Sequence, residues 1–140
     1  MKGVHGLIRL HRWQLDEKRR RLVDLQSLQD ELEGQLARLE AEIKAEQRTA
    51  AADAAAFAYG TYAQAAVLRR GKIAQSMTEV GLQLSAAREE VSEAFQELKK
   101  FELMQEQRER RTRAATERRL VIEQDELGLS GFRRRQAEQR

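Results

Sequence analysis

The fold of this chain is decided by residues 22–43, which read LVDLQSLQDELEGQLARLEAEI. Leucine and isoleucine recur here at alternating spacings of three and four residues, and Gln29 is the one polar residue at the recurring positions. An average spacing of 3.5 residues is typical of helices that pair in a left-handed coiled coil. The stretch therefore predicts a helix with a single apolar stripe, called the seam below, which requires a helical partner.

A second run with the same spacing supplies that partner later in the chain. Its seam positions are Ile73, Met77, Val80, Leu84, Ala87, Val91, Ala94, Leu98 and Phe101. Two seams of similar length predict an all-α fold, a long two-helix antiparallel coiled-coil hairpin. The predicted pairs across the two helices are Leu32 with Val91, Leu36 with Ala87 and Leu39 with Leu84.

The sequence predicts one elongated domain over residues 1–140. The first helix is expected at about 5–57 and the second at about 70–127, with a connection at about 58–69 and a frayed tail at 128–140. Gly60 and Gly71 mark the connection, because glycine is, next to proline, the residue that most often interrupts a helix. Gly128 and Gly131 are typical of a helix stop and mark the start of the tail.

The composition favours helices and excludes several classes of protein. The 140 residues contain no proline and no cysteine, 35% are charged and 5% are aromatic. Without cysteine there is no disulfide framework and no thiol nucleophile. No stretch approaches the roughly 18 apolar residues of a membrane span, and the first 11 residues lack the apolar region of a signal peptide.

No motif indicates an enzyme, and we expect a protein without catalytic residues, metal or cofactor. His5 and His11 are six residues apart, which is not the spacing that places two imidazoles on one helical face. Gly71 and Lys72 lack the upstream glycine and the following hydroxyl residue of a phosphate loop. The glutamates at 89, 90, 93 and 97 are typical of a solvated helix face.

The charges are unevenly distributed. Residues 1–21 carry seven basic and two acidic side chains, residues 108–119 carry six and two, and residues 22–47 carry two and seven. In the predicted hairpin the two basic segments lie side by side at the end that holds both termini. A rod with one basic end is suited to docking into an acidic opening.

The few aromatic residues allow two interpretations each. Trp13, within the basic first segment, either packs against the second helix or anchors a partner protein, since tryptophan often contributes much of the energy of an interface. Phe57, Tyr59 and Tyr62 fall where the seam pattern lapses. They either close a small core at the turn or form a contact surface.

Several stretches, in order along the chain, together resemble the flagellar export protein FliJ family. They are LIRLHRWQLDEKRR at 7–20, the heptads that follow, EAFQELKKFE at 93–102, the acidic pair at 125–126 and GFRR at 131–134. The resemblance covers essentially the whole chain. It implies a two-helix coiled coil similar to the central stalk (gamma) subunit of rotary ATPases.

The resemblance also implies a function and a location. Members of the family insert into the hexameric ATPase of the flagellar type III export apparatus, contact the cytoplasmic domain of the export-gate membrane protein and help to recycle export chaperones. The expected partners are therefore that ATPase with its regulator, the export gate and the chaperones. The expected location is cytoplasmic, peripheral to the inner membrane at the flagellar base.

Two sets of contact residues are predicted from the charge pattern, the aromatic cluster and this resemblance. The residues expected to contact the ATPase ring are Arg9, Arg12, Trp13, Arg19, Arg110, Arg111 and Arg118. The residues expected to contact the export gate are Gln35, Leu39, Phe57, Tyr59 and Tyr62. We expect no small-molecule substrate.

Two other functions remain open at this stage. A generic coiled-coil scaffold would share the heptads and the charge-rich surface. A nucleic-acid-binding hairpin could use Arg118 and Arg119 or the three arginines at 133–135, although a net charge of +3 with interleaved acids argues against it. We therefore expect no nucleic acid among the partners.

Overall fold

A computed structural model shows the chain as a helical hairpin and describes residues 2–52 and 56–139. Helix α1 spans Lys2–Ala52 and helix α2 spans Ala56–Glu138. Between these described residues the chain reverses direction, and the two helices pack against each other along α1. The described part of the chain contains no strand, so the predicted all-α hairpin is confirmed.

The helices differ greatly in length. With a rise of 1.5 Å per residue, the 51 residues of α1 extend about 77 Å and the 83 residues of α2 about 125 Å. Within the described residues, neither helix combines the length and the hydropathy that crossing a membrane requires. Their stability therefore depends on the seam, because helices of this polarity gain most of their order from packing.

The seam forms two clusters of buried side chains. One cluster comprises Leu25, Leu32, Val80, Leu84 and Ala87, with Leu22 and Met77 packed against it. The other, nearer the start of α1, comprises Ile8, Leu15 and Leu98, with Val4, Val91, Ala94 and Phe101 packed against it. Residues from both predicted heptad frames therefore form one continuous seam between α1 and α2.

The seam continues toward the turn with smaller side chains. Leu39 has only 2% of its surface exposed and Ala66 only 3%. Alanine at a seam position removes bulk between the helices, so it can be buried where a leucine would force them apart. Ala66 therefore belongs to the seam, and the pairing extends farther toward the turn than large apolar residues alone predict.

Ion pairs along the flanks of the seam establish the antiparallel alignment. Lys18 Nζ lies 3.3 Å from a Glu90 carboxylate oxygen, and Arg70 lies 3.4 Å from Glu40. At the start of α1, Gln105 Nε2 lies 2.8 Å from His5 Nδ1. Exposed pairs of this kind contribute about 0.2–1 kcal/mol each. Their main effect is to favour one register, because a shifted helix would lose them all.

The predicted interruptions at Gly60 and Gly71 are wrong, because both residues lie inside α2. The predicted stop at Gly128 and Gly131 is also wrong, since the helix continues to Glu138. The described glycines all have helical backbone with no positive φ. A glycine costs a helix about 1 kcal/mol, which the surrounding alanine, leucine, glutamate and arginine residues offset. The connection predicted at 58–69 is consequently helical.

The predicted register is wrong as well, by roughly 13 residues or nearly two heptads. Leu32 packs with Val80 and Leu84, and not with Val91. A hairpin's register follows from where its helices end and begin, and α2 already begins at Ala56, before the predicted connection. Leu36, which the heptads predict to pack against Ala87, is only half-buried.

Replacing Leu39 by alanine should destabilise the hairpin by about 2–4 kcal/mol, because this fully buried side chain would leave a cavity. Leu82→Ala is the matched control. Leu82 is 70% exposed, so the same substitution there should change stability by less than about 0.5 kcal/mol. Urea unfolding followed by circular dichroism measures both. Equal effects at the two positions would contradict the assigned seam.

Spin labels can distinguish the observed register from the predicted one. The chain has no native cysteine, so cysteines can be introduced at the exposed residues Leu28 and Leu82 or at Leu28 and Phe95. The observed register places Leu28 near Leu82, and the predicted register would place it near Phe95. We expect the shorter distance for the Leu28–Leu82 pair, since 13 further residues add about 20 Å along the axis. Double electron–electron resonance measures both distances.

Candidate functional site

The start of α1 forms an open end at which its side chains meet the middle of α2. The His11 ring stacks on Phe101 with their centroids 4.7 Å apart, and His5 contacts Gln105. The two histidines therefore make separate contacts to α2. Among the described residues, no group of three or more histidine, aspartate or glutamate side chains is arranged to hold a metal ion.

A cavity lies where α1 begins. It has a volume of about 430 Å³ and is lined by Val4 and His5 of α1 together with Gln105, Arg108, Glu109, Thr112 and Arg113 of α2. Beyond Arg113, α2 continues alone. We call residues 114–138 the overhang; it extends about 37 Å past the last residues that share this cavity with α1.

The overhang changes the predicted arrangement of charge. The basic segments 1–21 and 108–119 were expected side by side, but the observed register places the first against residues of about 89–108. That stretch holds six glutamates and three basic residues. The second basic segment instead leads from the open end into the overhang. The two basic segments thus follow each other along the rod, because the turn occurs earlier than predicted.

The residues predicted to contact the ATPase ring lie partly on the two-helix shaft and partly at the open end and on the overhang. Arg9, Arg12 and Arg19 lie on the exposed side of α1, where Arg12 pairs with Glu102 at 3.6 Å. Arg110, Arg111 and Arg118 lie at the open end or on the overhang. They are exposed, and Arg110 pairs with Glu106 of its own helix at 2.6 Å. The structure therefore does not gather the six arginines into one cluster.

Trp13 projects away from the seam. It is 61% exposed and borders a groove of about 750 Å³ that Gln14, Lys18, Arg21 and Glu90 also line. The interpretation in which Trp13 packs against the second helix is therefore wrong. The interpretation as a partner anchor stays a prediction.

The turn end holds the predicted export-gate residues. Tyr59 and Tyr62 are half-buried, and their ring centroids lie 6.3 Å apart. Gln35 is also half-buried, beside a groove of about 490 Å³ that Arg38, Arg69, Lys72 and Ile73 line as well.

Leu39 and Phe57 differ from the other predicted gate residues. Leu39 is 2% exposed and belongs to the seam, so the prediction that it forms part of a contact surface is wrong. The position of Leu39 in the sequence fitted both a seam residue and a contact residue, and its burial shows that it is a seam residue. The side chain of Phe57 lies outside the described part of the structure.

The phenol of Tyr62 has a perturbed environment. Burial raises the pKa of Tyr62, and the negative charge of the Glu42 carboxylate beside it raises that pKa further. Glu46 acts in the same direction, whereas Arg69 lowers the pKa. The hydroxyl oxygen is buried between the helices. Tyr62 therefore lies close to Glu42 of α1 while part of its ring stays exposed to solvent.

Comparisons with protein-family models, with curated proteins and with solved structures gave no match to this chain. The resemblance to the flagellar export family therefore rests on the sequence features alone, and the assignment of residues to the ATPase ring or to the export gate stays a prediction. Sequence reasoning missed the overhang. The signal for it was the length of continuous helix-forming sequence after the turn, 83 residues against 51 before it.

Titration of Tyr62 tests the structure of the turn end. The chain has two tyrosines, so Tyr59→Phe leaves Tyr62 as the only phenol, and its absorbance should change at a pH above 10.0. Glu42→Gln should shift that pH downward. Glu40→Gln, which removes a charge paired with Arg70, is the control and should leave it unchanged.

The same shift makes stability depend on pH in a defined direction. An unfolded chain releases the phenol proton near pH 10.0, whereas the folded chain retains it to higher pH. Folding stability should therefore fall as pH rises above 10.0, because the unfolded state loses its proton first. Glu42→Gln should reduce this loss. A loss that is identical in the variant would show that Glu42 does not act on Tyr62.

Proposed function

We propose that this chain is a non-enzymatic coupling subunit of a flagellar type III protein export apparatus, in which it acts as a stalk for the hexameric export ATPase. The observation that carries the proposal is the unequal hairpin, a two-helix shaft from which one helix continues alone, with arginines at its base and along its first part. The family resemblance of the sequence supplies the identity of the partners. The chain itself contributes binding energy and shape, and the ATPase performs the chemistry.

The shape and the charge support this role together. A single helix is narrower than the two-helix shaft, and an overhang about 37 Å long would reach into the central opening of a ring of six subunits. Arginines at 110, 111, 113, 118 and 119 stand at its base and along its first part. Acidic residues around the opening would attract them during association, which raises the rate of productive encounters.

The turn end is the proposed site for the export gate. It lies at the opposite end of the shaft from the overhang, so both partners can bind at the same time. Tyr59 and Tyr62 present partly exposed rings there, and aromatic side chains of this kind commonly anchor interfaces. Gln35 borders the neighbouring groove. Export chaperones are a further proposed class of partner, and the cytoplasmic face of the flagellar base is the proposed location.

A stalk with two occupied ends can couple two partners only if its contacts differ between their states. The seam makes the shaft resist bending and sliding, because either motion exposes buried leucines. A rotation or shift of the overhang in the ring would therefore be transmitted to the turn end.

Charge reversal on the overhang side should weaken docking to the ring. The variant Arg110→Glu, Arg111→Glu, Arg118→Glu should lower the apparent affinity for a purified hexameric flagellar export ATPase by about tenfold or more, equal to about 1.4 kcal/mol. It should also flatten the dependence of binding on salt. Stimulation of ATP hydrolysis across a concentration series measures both effects.

The matched control reverses three arginines on the shaft, namely Arg9, Arg12 and Arg19. These changes alter net charge by the same amount but leave the overhang intact, so they should weaken stimulation less. Circular dichroism confirms that both variants remain helical. Stimulation that is unaffected by the first triple variant would contradict the proposed docking, and a larger effect of the control would place the contact on the shaft.

A further inference from the structure

The overhang leaves apolar side chains without cover. Every described residue at 114–139 is exposed except the half-buried Gly131. Six large apolar side chains there are between 52% and 72% exposed, namely Leu120, Val121, Ile122, Leu127, Leu129 and Phe132. Two of these side chains, Ile122 and Leu129, lie seven residues apart on one face of the helix, so a second helix placed along that face would be stabilised by burying them.

The seam of the hairpin continues into the overhang. Counting on from Phe101 in alternating steps of four and three residues reaches Ala115, Ile122 and Leu129. The cavity at the open end lies on the same stripe, because Gln105, Arg108 and Thr112 line it at seam positions. The seam positions that bind α1 therefore extend past the start of α1, where the apolar residues Ala115, Ile122 and Leu129 alternate with the charged residues Arg119 and Glu126.

The charges along the overhang are arranged so that it complements itself. Arg118 and Arg119 precede its apolar centre, and Glu123, Asp125 and Glu126 follow that centre. Two copies aligned in parallel would place like charges together. Two copies aligned antiparallel place the basic part of each against the acidic part of the other.

We propose that a second copy of this chain covers the overhang, in an antiparallel pair with a two-fold axis between Leu120 and Val121. Transferring the layering of the hairpin to this pair fixes the contacts. Arg118 of each chain lies beside the partner's Asp125, at the positions that Arg21 and Glu90 occupy along one groove of the hairpin. Two-fold symmetry makes that ion pair occur twice.

The same alignment gives the open-end cavity an occupant. Leu129 of each chain lies opposite the partner's Thr112, which lines the cavity beside Val4. Ile122 packs against the methylene stem of the partner's Arg119, whose guanidinium reaches the solvent. Beyond this point the helix would meet the partner's α1. Gly128 and Gly131 make a bend there less costly, because glycine resists departure from helical backbone least.

The oligomeric state of the purified chain tests this proposal. Light scattering after size exclusion, over a concentration series, should show the mass rising from the 16.2 kDa of one chain to twice that value. Arg118→Asp and Asp125→Arg should each shift this rise to at least tenfold higher concentration, because each variant faces like charges across the axis. Arg134→Asp, whose position points away from the proposed contact, is the control and should behave as the parent.

Mixing the two single variants provides the sharper test. One chain then carries aspartate at 118 and 125 and the other carries arginine at both positions, so both ion pairs are restored in a heterodimer. Native mass spectrometry should detect that heterodimer at concentrations where each variant alone is monomeric. The proposal is overturned if the parent stays monomeric, if either single variant associates like the parent, or if the mixture forms no heterodimer. The proposed docking to the ATPase does not require this pairing, because the ring would bind the free chain, so a monomeric parent that still stimulates the ATPase would overturn the pairing alone.

Discussion

The seam between α1 and α2 is the interaction on which the rest of the structure depends. The buried leucines and alanines of the two helices have partners only across this line, because the chain forms no third layer within its described residues. The seam fixes the register, and the register fixes everything that a partner could meet. It places the acidic stretch of α2 beside the basic start of α1, and it leaves residues 114–138 without a partner.

The hairpin can be predicted from the sequence because it depends on the 3.5-residue spacing of large apolar side chains, which is easily recognised. Its turn does not, because the residues around it are mostly alanine. A run such as the one at 50–56 can lie in a seam, on a surface or in a turn, and the choice depends on how closely two distant helices approach. The burial of Ala66 and Leu39 reflects that tertiary choice. Moving the predicted turn by a few residues shifts the pairing of the two helices by twice that number of residues.

The site predictions depend on different levels of structure. The exposure of Arg9, Arg19 and Arg118 follows from their positions off the seam, which the heptads alone supply. The grouping of the arginines at one end required the correct register, so it could not be predicted. Leu39 shows a third case, since its spacing fitted both a seam and a contact surface, and only its burial separates them.

The overhang relates the two proposals through competition for one surface. A helix whose apolar centre and whose arginines are covered by a second copy cannot at the same time enter a ring through those residues. Binding of the overhang by the ring would draw dimers apart by mass action, because only the free chain is available to dock. Self-association would then make less of the free chain available at high concentration and would shield Ile122 and Leu129. This competition involves the overhang alone, since the seam and the turn end are not part of the proposed contact between the two copies.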